Sequence, residues 1–358
     1  MIQGKAHKRR IRVLIVEDSP VVRELLVHIL GADPDLEVVG IAVDGIEAME
    51  LLERVKPDVV TVDMSMPRMS GFEVTRRIME SNPLPIVIIS ASWEPSEVTT
   101  TFAAVEAGAV AVVAKPHGPG HADHASASHR LVQTVKAMSQ VKVVRRWARA
   151  GSQEVRPSAP IRPVRAGSSA ARIRIVAIGA STGGPLVLQT LLSNLPKRYA
   201  APVLIVQHIA AGFLPGLADW LGKTTGFPIR IASHGEPLMN GHAYLAPDGI
   251  HMGVQSGRIA LMRGEPRDGL RPSVGHMFDS VAAAYGAAAA GVLLTGMGRD
   301  GAEELGSMRR KGAMTIAQDE ESCVVFGMPG QAVRLGAAEY ILSPPRIAAL
   351  LGGAVAVP

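Results

Sequence analysis

Short β-branched runs alternate with amphipathic stretches along most of this 358-residue chain, and this alternation restricts the fold more than any other feature. In the first third of the chain, the strand candidates are Arg12–Val16, Leu36–Ala42, Asp58–Asp63, Pro85–Ala91 and Ala109–Ala114. The helical patterns between them include Val21–Leu30, Ile46–Val55 and Phe72–Glu80. Repeated βα units predict a doubly wound parallel sheet. We therefore expect residues 11–130 to form a five-stranded α/β domain of flavodoxin-like strand order, with ligands at the carboxyl ends of strands one and three.

A segment rich in Pro, Ser, Gly, Arg and Ala interrupts the alternation once. A helical pattern from about Ser128 to Ala148 gives way to GSQEVRPSAPIRPVRAGSSAA, in which no hydrophobic period survives. Such a composition is typical of an interdomain linker. Residues 131–171 are therefore predicted to be a helix followed by a basic linker.

The βα alternation resumes at Arg172. The core strand candidates are Ile173–Ile178, Val203–Gln207, Gly291–Thr295 and Ala313–Ala317. Between the second and third of these lies a Gly-rich portion, residues 229–262, with short alternating runs that look like hairpins. We expect residues 172–354 to form a Rossmann-like α/β domain with an antiparallel accessory hairpin region.

Composition and charge exclude several classes of protein. The net charge is +5, but residues 136–174 hold ten Lys or Arg and one acid, so the rest of the chain sums to about −4. The basic charge thus belongs to the linker, and we expect no nucleic-acid partner. No run approaches ~20 apolar residues, which predicts no membrane insertion. A single cysteine excludes an internal disulfide and fits a cytoplasmic protein.

Three carboxylates follow two strands of the first predicted sheet. Glu17 and Asp18 come directly after the first strand, and Asp63 ends the third. These strands are neighbours in a doubly wound sheet, so the carboxylates converge at one edge. A hard divalent cation with oxygen ligands relieves their mutual repulsion. We expect Mg²⁺ there, with the backbone carbonyl of Ser65 as a further ligand.

A hydroxyl and a fixed cation are predicted at the same edge. Ser90 ends the fourth strand, and Lys115 ends the fifth. Each of these residues alone would more often be a helix cap or a surface charge. Together, Mg²⁺, a hydroxyl and an ammonium group around Asp63 can neutralise the oxygens of a phosphoryl group on that carboxylate.

These segments resemble the receiver domain of two-component response regulators. VEDS, DMSMPRMSG and AKP correspond to its acidic, phospho-acceptor and lysine segments over roughly 120 residues. The resemblance implies that a histidine kinase phosphorylates Asp63 and that Ser90 and Lys115 contact the phosphoryl group. Many receivers have Tyr or Phe three positions before the lysine. Val112 stands there in this chain, which puts an aromatic rotamer switch in doubt.

The run IVAIGASTGGP places Ser181 just past a buried strand of the second domain, in a turn containing Gly179, Gly183 and Gly184. Glycines allow a sharp turn and a close approach of the backbone to a ligand. The next helix, roughly Pro185–Leu195, would direct free N–H groups at bound negative charge. The loop alone is compatible with a nucleophilic serine or with a cradle for a nucleotide phosphate.

Two features favour the nucleophile. The spacing is G-x-x-x-G-G, not the dinucleotide pattern G-x-G-x-x-G. The strand PVLIVQH ends in Gln207 and His208, where a ribose-binding acid would be required.

The strand GVLLTG then leads to MGRDG and puts Asp300 at a third carboxyl end. Ser181, His208 and Asp300 have the groups of an acyl-transfer triad, although each alone also fits a structural role.

The second region resembles the catalytic domain of chemotaxis-type protein-glutamate methylesterases. The matching segments are IGASTGGP, VQH, YLAPDGIHM, RPSV, LLTGMGRDGA and AQDEESCVVFGMP. The resemblance implies that Ser181, His208 and Asp300 hydrolyse γ-glutamyl methyl esters on methyl-accepting chemoreceptors, and that glutamine deamidation is also possible. It further implies that Met297 contributes an oxyanion-site N–H, that Thr182 lies near the nucleophile, and that the esterase reaction needs no cofactor. We expect a monomer.

Other features leave alternatives open. His117, His121, His124 and His129 cluster after the fifth strand in what looks like a mobile loop rather than a metal site. Cys323 is interpreted as a small buried residue, not a nucleophile. The loop RGEPRDGLRPS is either solvated or steers an acidic receptor helix. Two other functions remain. The first is a receiver-controlled adaptor, which is disfavoured because every triad position is filled. The second is a transcription factor, which is disfavoured because no helix-turn-helix pattern follows the linker.

A receiver joined to a hydrolase predicts control by phosphorylation. Our hypothesis, supported by the family resemblance, is that the unphosphorylated receiver packs over the Ser181 cleft. Phosphorylation of Asp63 would change its docking face and free the entrance.

Overall fold

The computed structural model describes residues 9–90, 95–141, 143 and 173–355, which belong to two compact units, Met1–Ala148 and Arg149–Pro358. The strands of the first unit are β1 (Ile11–Val16), β2 (Leu36–Ala42), β3 (Val59–Asp63), β4 (Ile86–Ser90) and β5 (Ala111–Ala114). Its helices are α1 (Pro20–Gly31), α2 (Gly45–Val55), α3 (Gly71–Ser81), α4 (Pro95–Ala107) and α5 (His124–Met138).

The first sheet is parallel throughout and has the order β2-β1-β3-β4-β5. Strands β3 and β4 are buried along their whole length, as expected for central strands covered by helices on both faces. The predicted five-stranded, doubly wound fold is therefore confirmed. Strand β2 lies on one side of β1, and β3 and the later strands lie on the other. Ligands of doubly wound sheets bind where the strand order changes sides in this way, between β1 and β3.

Helix α5 starts and stops earlier than the sequence pattern indicates. The prediction ran from about Ser128 to Ala148, but the helix begins at His124 and ends at Met138. The buried residues of α5 recur at helical spacing and are Leu131, Val132, Val135 and Met138. The helix ends at the last of these residues. The rest of the predicted linker, apart from a few residues up to 143, lies outside the described residues. The domain boundaries 11–130, 131–171 and 172–354 stay predictions.

The second unit has nine strands and six α-helices among its described residues. The strands are β6 (Ile175–Ala180), β7 (Val203–Gln207), β8 (Ile229–Ile231), β9 (Ala243–Leu245), β10 (His251–Gln255), β11 (Arg258–Met262), β12 (Ala289–Leu293), β13 (Met314–Gln318) and β14 (Tyr340–Leu342). The helices are α6 (Gly184–Ser193), α7 (Leu214–Thr225), α8 (Val274–Tyr285), α9 (Ala302–Arg310), α10 (Met328–Arg334) and α11 (Pro344–Ala354), with a 3₁₀ turn at Gly286–Ala288.

Seven strands form a parallel sheet of order β14-β13-β12-β6-β7-β9-β8. Strands β10 and β11 form a separate antiparallel hairpin. The α/β class with an accessory hairpin is thus confirmed. The expectation of several hairpins over residues 229–262 is wrong in detail, because β8 and β9 pair in parallel and extend the main sheet. Runs of three residues are too short for periodicity to reveal the direction of pairing.

Strand β6 lies between β7 and β12, at the switch point of the second sheet. Residues that follow these three strands therefore meet at one edge. Among the described helices, none combines the length and the apolar character that crossing a membrane requires.

Candidate functional site

The acidic cluster of the first unit forms as predicted. One carboxylate oxygen each from Glu17, Asp18 and Asp63 lies within 4.8 Å of the others. Glu17 and Asp63 are buried, while Asp18 is half-buried. Burial raises the pKa of Glu17, and the nearby Asp63 raises it further. The pocket thus penalises adjacent negative charges, and a bound cation would relieve that penalty, so the cluster is compatible with metal binding.

Lys115 reaches into this cluster from the end of β5. Its Nζ lies 3.0 Å from Oε2 of Glu17 and 3.0 Å from Oδ1 of Asp63. Burial alone would lower the pKa of Lys115, but the two carboxylates hold it above its usual value. Burial raises the pKa of Asp63, and Lys115 only partly offsets that effect. The ammonium group remains charged beside the predicted phospho-acceptor.

Ser90 and Ser65 lie at the same edge but in different environments. Ser90 is buried at the end of β4, and its carbonyl accepts a 2.9 Å hydrogen bond from the Lys115 N–H. Strand pairing sets Asp63 beside Ile89, so Ser90 belongs to the strand next to Asp63. Ser65 is exposed two residues after Asp63.

Two arginines that sequence reasoning missed hold the surrounding loops. Arg23 of α1 donates to the backbone carbonyls of Glu17 and Asp18, at 2.9 and 3.0 Å. Arg68, in the loop after Asp63, pairs with Asp44, whose other carboxylate oxygen caps α2. Arg68 has a φ of 66°. Neither partner could be read from a local pattern, because loop geometry determines both contacts.

Ser181 of the second unit follows β6 directly, in a turn held by backbone hydrogen bonds. Its N–H donates to the Thr295 carbonyl at 3.0 Å, and its carbonyl accepts from Gly184 N–H at 2.8 Å. Gly183 has a φ of 78°, and a Cβ there would lie 2.6 Å from Val324. Gly183 is therefore required both by conformation and by close approach.

His208 lies beside this turn because β7 pairs with β6. Gln207 pairs with Ala180, and the His208 N–H donates to the Ala180 carbonyl at 2.9 Å. The imidazole Nε2 of His208 lies 3.0 Å from Oδ2 of Asp300. The structure thus brings the predicted base and acid together, next to the residue that precedes Ser181.

Asp300 is fixed by the N-terminus of α8. Its Oδ1 accepts from Ser273 Oγ at 2.8 Å and from Gly275 N–H at 3.0 Å, and its Oδ2 accepts from Val274 N–H at 2.7 Å. Burial alone would raise the pKa of Asp300, but His208 and these N–H groups hold it below its usual value. Free N–H groups and the dipole at a helix N-terminus favour an anion. Asp300 therefore stays a carboxylate beside the imidazole.

The loop containing Met297 packs tightly against the Ser181 turn. A Cβ at Gly296 would lie 2.6 Å from Ser181 Cβ, so only glycine allows this approach. Within the described parts of the chain, the N–H groups of Thr182 and Met297 donate no hydrogen bond. Thr182 directly follows Ser181 and Met297 directly follows Gly296, and an oxyanion site requires backbone N–H groups that are not already paired.

Two further residues that sequence reasoning did not assign tie the site together. Gln207 is buried, and its Nε2 donates to the carbonyls of both Ser181 and His208 at 2.8 Å. Thr295 is fully buried, and its Oγ1 donates to the Thr182 carbonyl at 3.0 Å. In the sequence, each of these two residues is visible only as a polar residue at the end of an apolar run, and this pattern does not predict its contacts.

The other flagged residues do not form a second site. Burial raises the pKa of Cys323 to about 12, so its thiol stays protonated and is a poor nucleophile. The rings of His117 and His121 stack at 4.1 Å, and His124 contacts the His117 carbonyl. In the described regions, only Glu17, Asp18 and Asp63 group as metal ligands do.

Comparison with known proteins agrees with both halves of this description. Residues 13–125 match the response regulator receiver domain family, and residues 176–351 match the CheB methylesterase family. A protein named protein-glutamate methylesterase/protein-glutamine glutaminase 1, from Syntrophus aciditrophicus (strain SB), is 53% identical over 342 residues, covering 95% of this chain and 97% of that protein. A protein-glutamate methylesterase/protein-glutamine glutaminase of Nitrosospira multiformis is 50% identical over 350 residues, covering 97% of both. The crystal structure of the Thermotoga maritima CheB methylesterase catalytic domain aligns with 51% of this chain and 99% of its own, at a TM-score of 0.50 and 37% identity.

Proposed function

Since this chain belongs to the CheB methylesterase family and carries an N-terminal response regulator receiver domain, we propose that it hydrolyses γ-glutamyl methyl esters on chemoreceptors under the control of phosphorylation. The observation that carries the proposal is the contact of His208 with Asp300, held at the α8 N-terminus beside the Ser181 turn. This arrangement has the base and the orienting acid of an acyl-transfer site.

Ser181 attacks the ester carbonyl carbon. Asp300 occupies Nε2 of His208, so Nδ1 is the nitrogen left to accept the hydroxyl proton. Asp300 stabilises the imidazolium that results, because it remains ionised. The same proton then passes to the departing methoxide, which leaves as methanol. Water, activated by His208, hydrolyses the acyl-enzyme and regenerates Ser181.

The oxyanion of each tetrahedral intermediate is stabilised by backbone N–H groups. We assign this role to Met297, with Thr182 on the other side of the nucleophile. One such donor contributes about 3 kcal/mol to transition-state stabilisation. No organic cofactor takes part in this scheme. The same steps on a glutamine carboxamide release ammonia, so we propose receptor deamidation as a second reaction.

The receiver supplies the control. We propose that a chemotaxis-type histidine kinase transfers its phosphoryl group to Asp63. Glu17, Asp18, Asp63 and the Ser65 carbonyl would hold Mg²⁺, which supplies positive charge next to the phosphoryl oxygens. Lys115 and the Ser90 hydroxyl contact the same oxygens from β5 and β4. The unphosphorylated receiver restricts access to Ser181, and phosphorylation removes that restriction.

We further propose a cytoplasmic monomer that binds chemoreceptors and the kinase but no nucleic acid.

The test is methanol release from methylated receptor by the full chain, with a small phosphodonor and Mg²⁺ present. Ser181→Ala should lower kcat by about 10⁴–10⁶-fold. Ser193→Ala is the matched control, because this exposed serine ends the helix that follows Ser181; it should keep full activity. Equal release by Ser181→Ala and the unsubstituted protein would contradict the esterase and favour the adaptor function.

A further inference from the structure

A buried histidine of the accessory hairpin contacts the residue that caps α8. His251 is only 2% exposed on β10. Its Nε2 lies 3.0 Å from the Glu265 carbonyl, which can only accept, so Nε2 carries the proton. Its Nδ1 then accepts from the Ser273 N–H at 3.3 Å. Both ring nitrogens are therefore satisfied by a single neutral tautomer.

Ser273 connects this histidine to the catalytic acid. Its hydroxyl donates to Oδ1 of Asp300 at 2.8 Å and accepts from the His276 N–H at 3.3 Å. Asp300 in turn lies against His208. A continuous line of contacts thus runs from the hairpin through Ser273 to the acid and the base.

The hairpin is fixed to α8 at more than this point. The rings of His251 and His276 stack with centroids 4.7 Å apart. Ser280 of α8 accepts from the Val254 N–H at 2.7 Å and donates to the Val254 carbonyl at 3.1 Å. Arg267, in the loop that follows the hairpin, pairs with Asp279 of α8 and Glu304 of α9. The hairpin therefore contacts α8 through Ser273, through the stacked rings and through Ser280.

We infer that His251 is a positioning residue for the reaction: it holds the Ser273 backbone where the serine hydroxyl and the α8 N-terminus can orient Asp300 toward His208. The hairpin is then part of the catalytic apparatus and not only an accessory to the sheet. This inference rests on the proposed function, since it assigns a role within that same site.

Two substitutions of similar polarity separate the two hydrogen bonds of His251. In His251→Asn, the side-chain oxygen takes the place of Nδ1 and still accepts from Ser273, but the donor to Glu265 is lost. In His251→Gln, the longer amide reaches the position of Nε2 and keeps the contact with Glu265, but Ser273 loses its acceptor. If His251 only fills space, the smaller Asn is the more harmful change; if it positions Asp300, Gln is.

The experiment measures kcat and KM for methanol release by both variants in the full chain, with a phosphodonor and Mg²⁺, below the melting temperature of each. We expect His251→Gln to lower kcat by about 10- to 100-fold with KM unchanged, the usual effect of a misplaced catalytic group. His251→Asn should stay within about threefold of the unsubstituted protein even though its cavity lowers Tm.

Equal kcat values, or a lower kcat for Asn than for Gln, would overturn the inference. A change confined to KM or to Tm would also overturn it. Failure of the proposed function itself gives a different result, since the unsubstituted protein would then release no more methanol than Ser181→Ala.

Discussion

The imidazole Nε2 of His208 lies 3.0 Å from the carboxylate of Asp300, which Ser273 and the first two residues of α8 hold by three hydrogen bonds. Two strands and one helix N-terminus thus determine a contact that neither residue could form locally. Because these donors stabilise the charged form of Asp300, the pair affects the stability of the fold as well as its chemistry.

Stability at low pH should depend on Asp300. Burial opposes its ionisation, but His208 and the backbone donors hold its pKa below the ordinary value of 3.8. A lowered folded-state pKa contributes stability that is present above the unfolded value and is lost as pH falls through the folded one. We expect the free energy of unfolding to fall more steeply below about pH 3.8 for the unsubstituted protein than for Asp300→Asn. Denaturant titrations from pH 6 downward measure this, and parallel curves would contradict it.

Gln207 should contribute to both activity and stability. Gln207→Met removes the donor to the Ser181 and His208 carbonyls at nearly constant volume. The Ser181 carbonyl keeps its bond from the Gly184 N–H, but the His208 carbonyl loses its bond from Gln207. A carbonyl left without a donor costs about 1–3 kcal/mol, so we expect a lower free energy of unfolding and a fall in kcat of about tenfold. Gln255→Met, at an exposed position on β10, is the matched control. Loss of stability without loss of kcat would show that Gln207 does not position the nucleophile and base.

Magnesium should stabilise the receiver through its acidic cluster. A ligand at 100 times its Kd raises the free energy of unfolding by about 2.7 kcal/mol. The expected change is a Tm that rises with Mg²⁺ for the unsubstituted protein and for Asp123→Asn, whose carboxylate is exposed away from the cluster. Asp63→Asn should lose most of this response and all phosphorylation by a small phosphodonor. An unchanged Mg²⁺ response in Asp63→Asn would exclude this carboxylate as a ligand.

Residues 172–354 should be more active alone than within the unphosphorylated chain. The aligned Thermotoga maritima structure is of a catalytic domain by itself, which supports independent folding. If the receiver restricts access to Ser181, removing it should raise methanol release by about 5- to 150-fold, the range of ordinary coupling free energies. Phosphorylation of the full chain should give a similar increase. Equal rates for the fragment and the unphosphorylated chain would refute autoinhibition.

The sequence predicts the parts of the fold that repeat and the residues that end long strands. Strands β2 and β7 have the predicted bounds, and Asp63 and His208 lie where the end of a strand places them. The bounds of a buried parallel strand follow from its apolar run and its length, which are local properties. The three-residue strands β8 and β9 have too few side chains to indicate their direction of pairing.

Supporting contacts are harder to predict from the chain. Gln207, His251 and Thr295 act through hydrogen bonds to backbone atoms of distant loops, and a backbone atom has no sequence signature. The capping role of Ser273 is partly visible, since a serine precedes an apolar helix. Nothing in the sequence pattern indicates that this helix would hold Asp300.

Gly296 has no side chain, which allows its loop to come close to Ser181 and fixes how far Ser181 lies from that loop. A side chain there would collide with Ser181 Cβ and with the sulfur of Met328, so the two loops meet in van der Waals contact beside the uncharged hydrogen bond from the Ser181 N–H to the Thr295 carbonyl. Van der Waals contact does not depend on ionic strength or on protonation. The position of Ser181 at the edge of the sheet should therefore stay constant across salt and acidity.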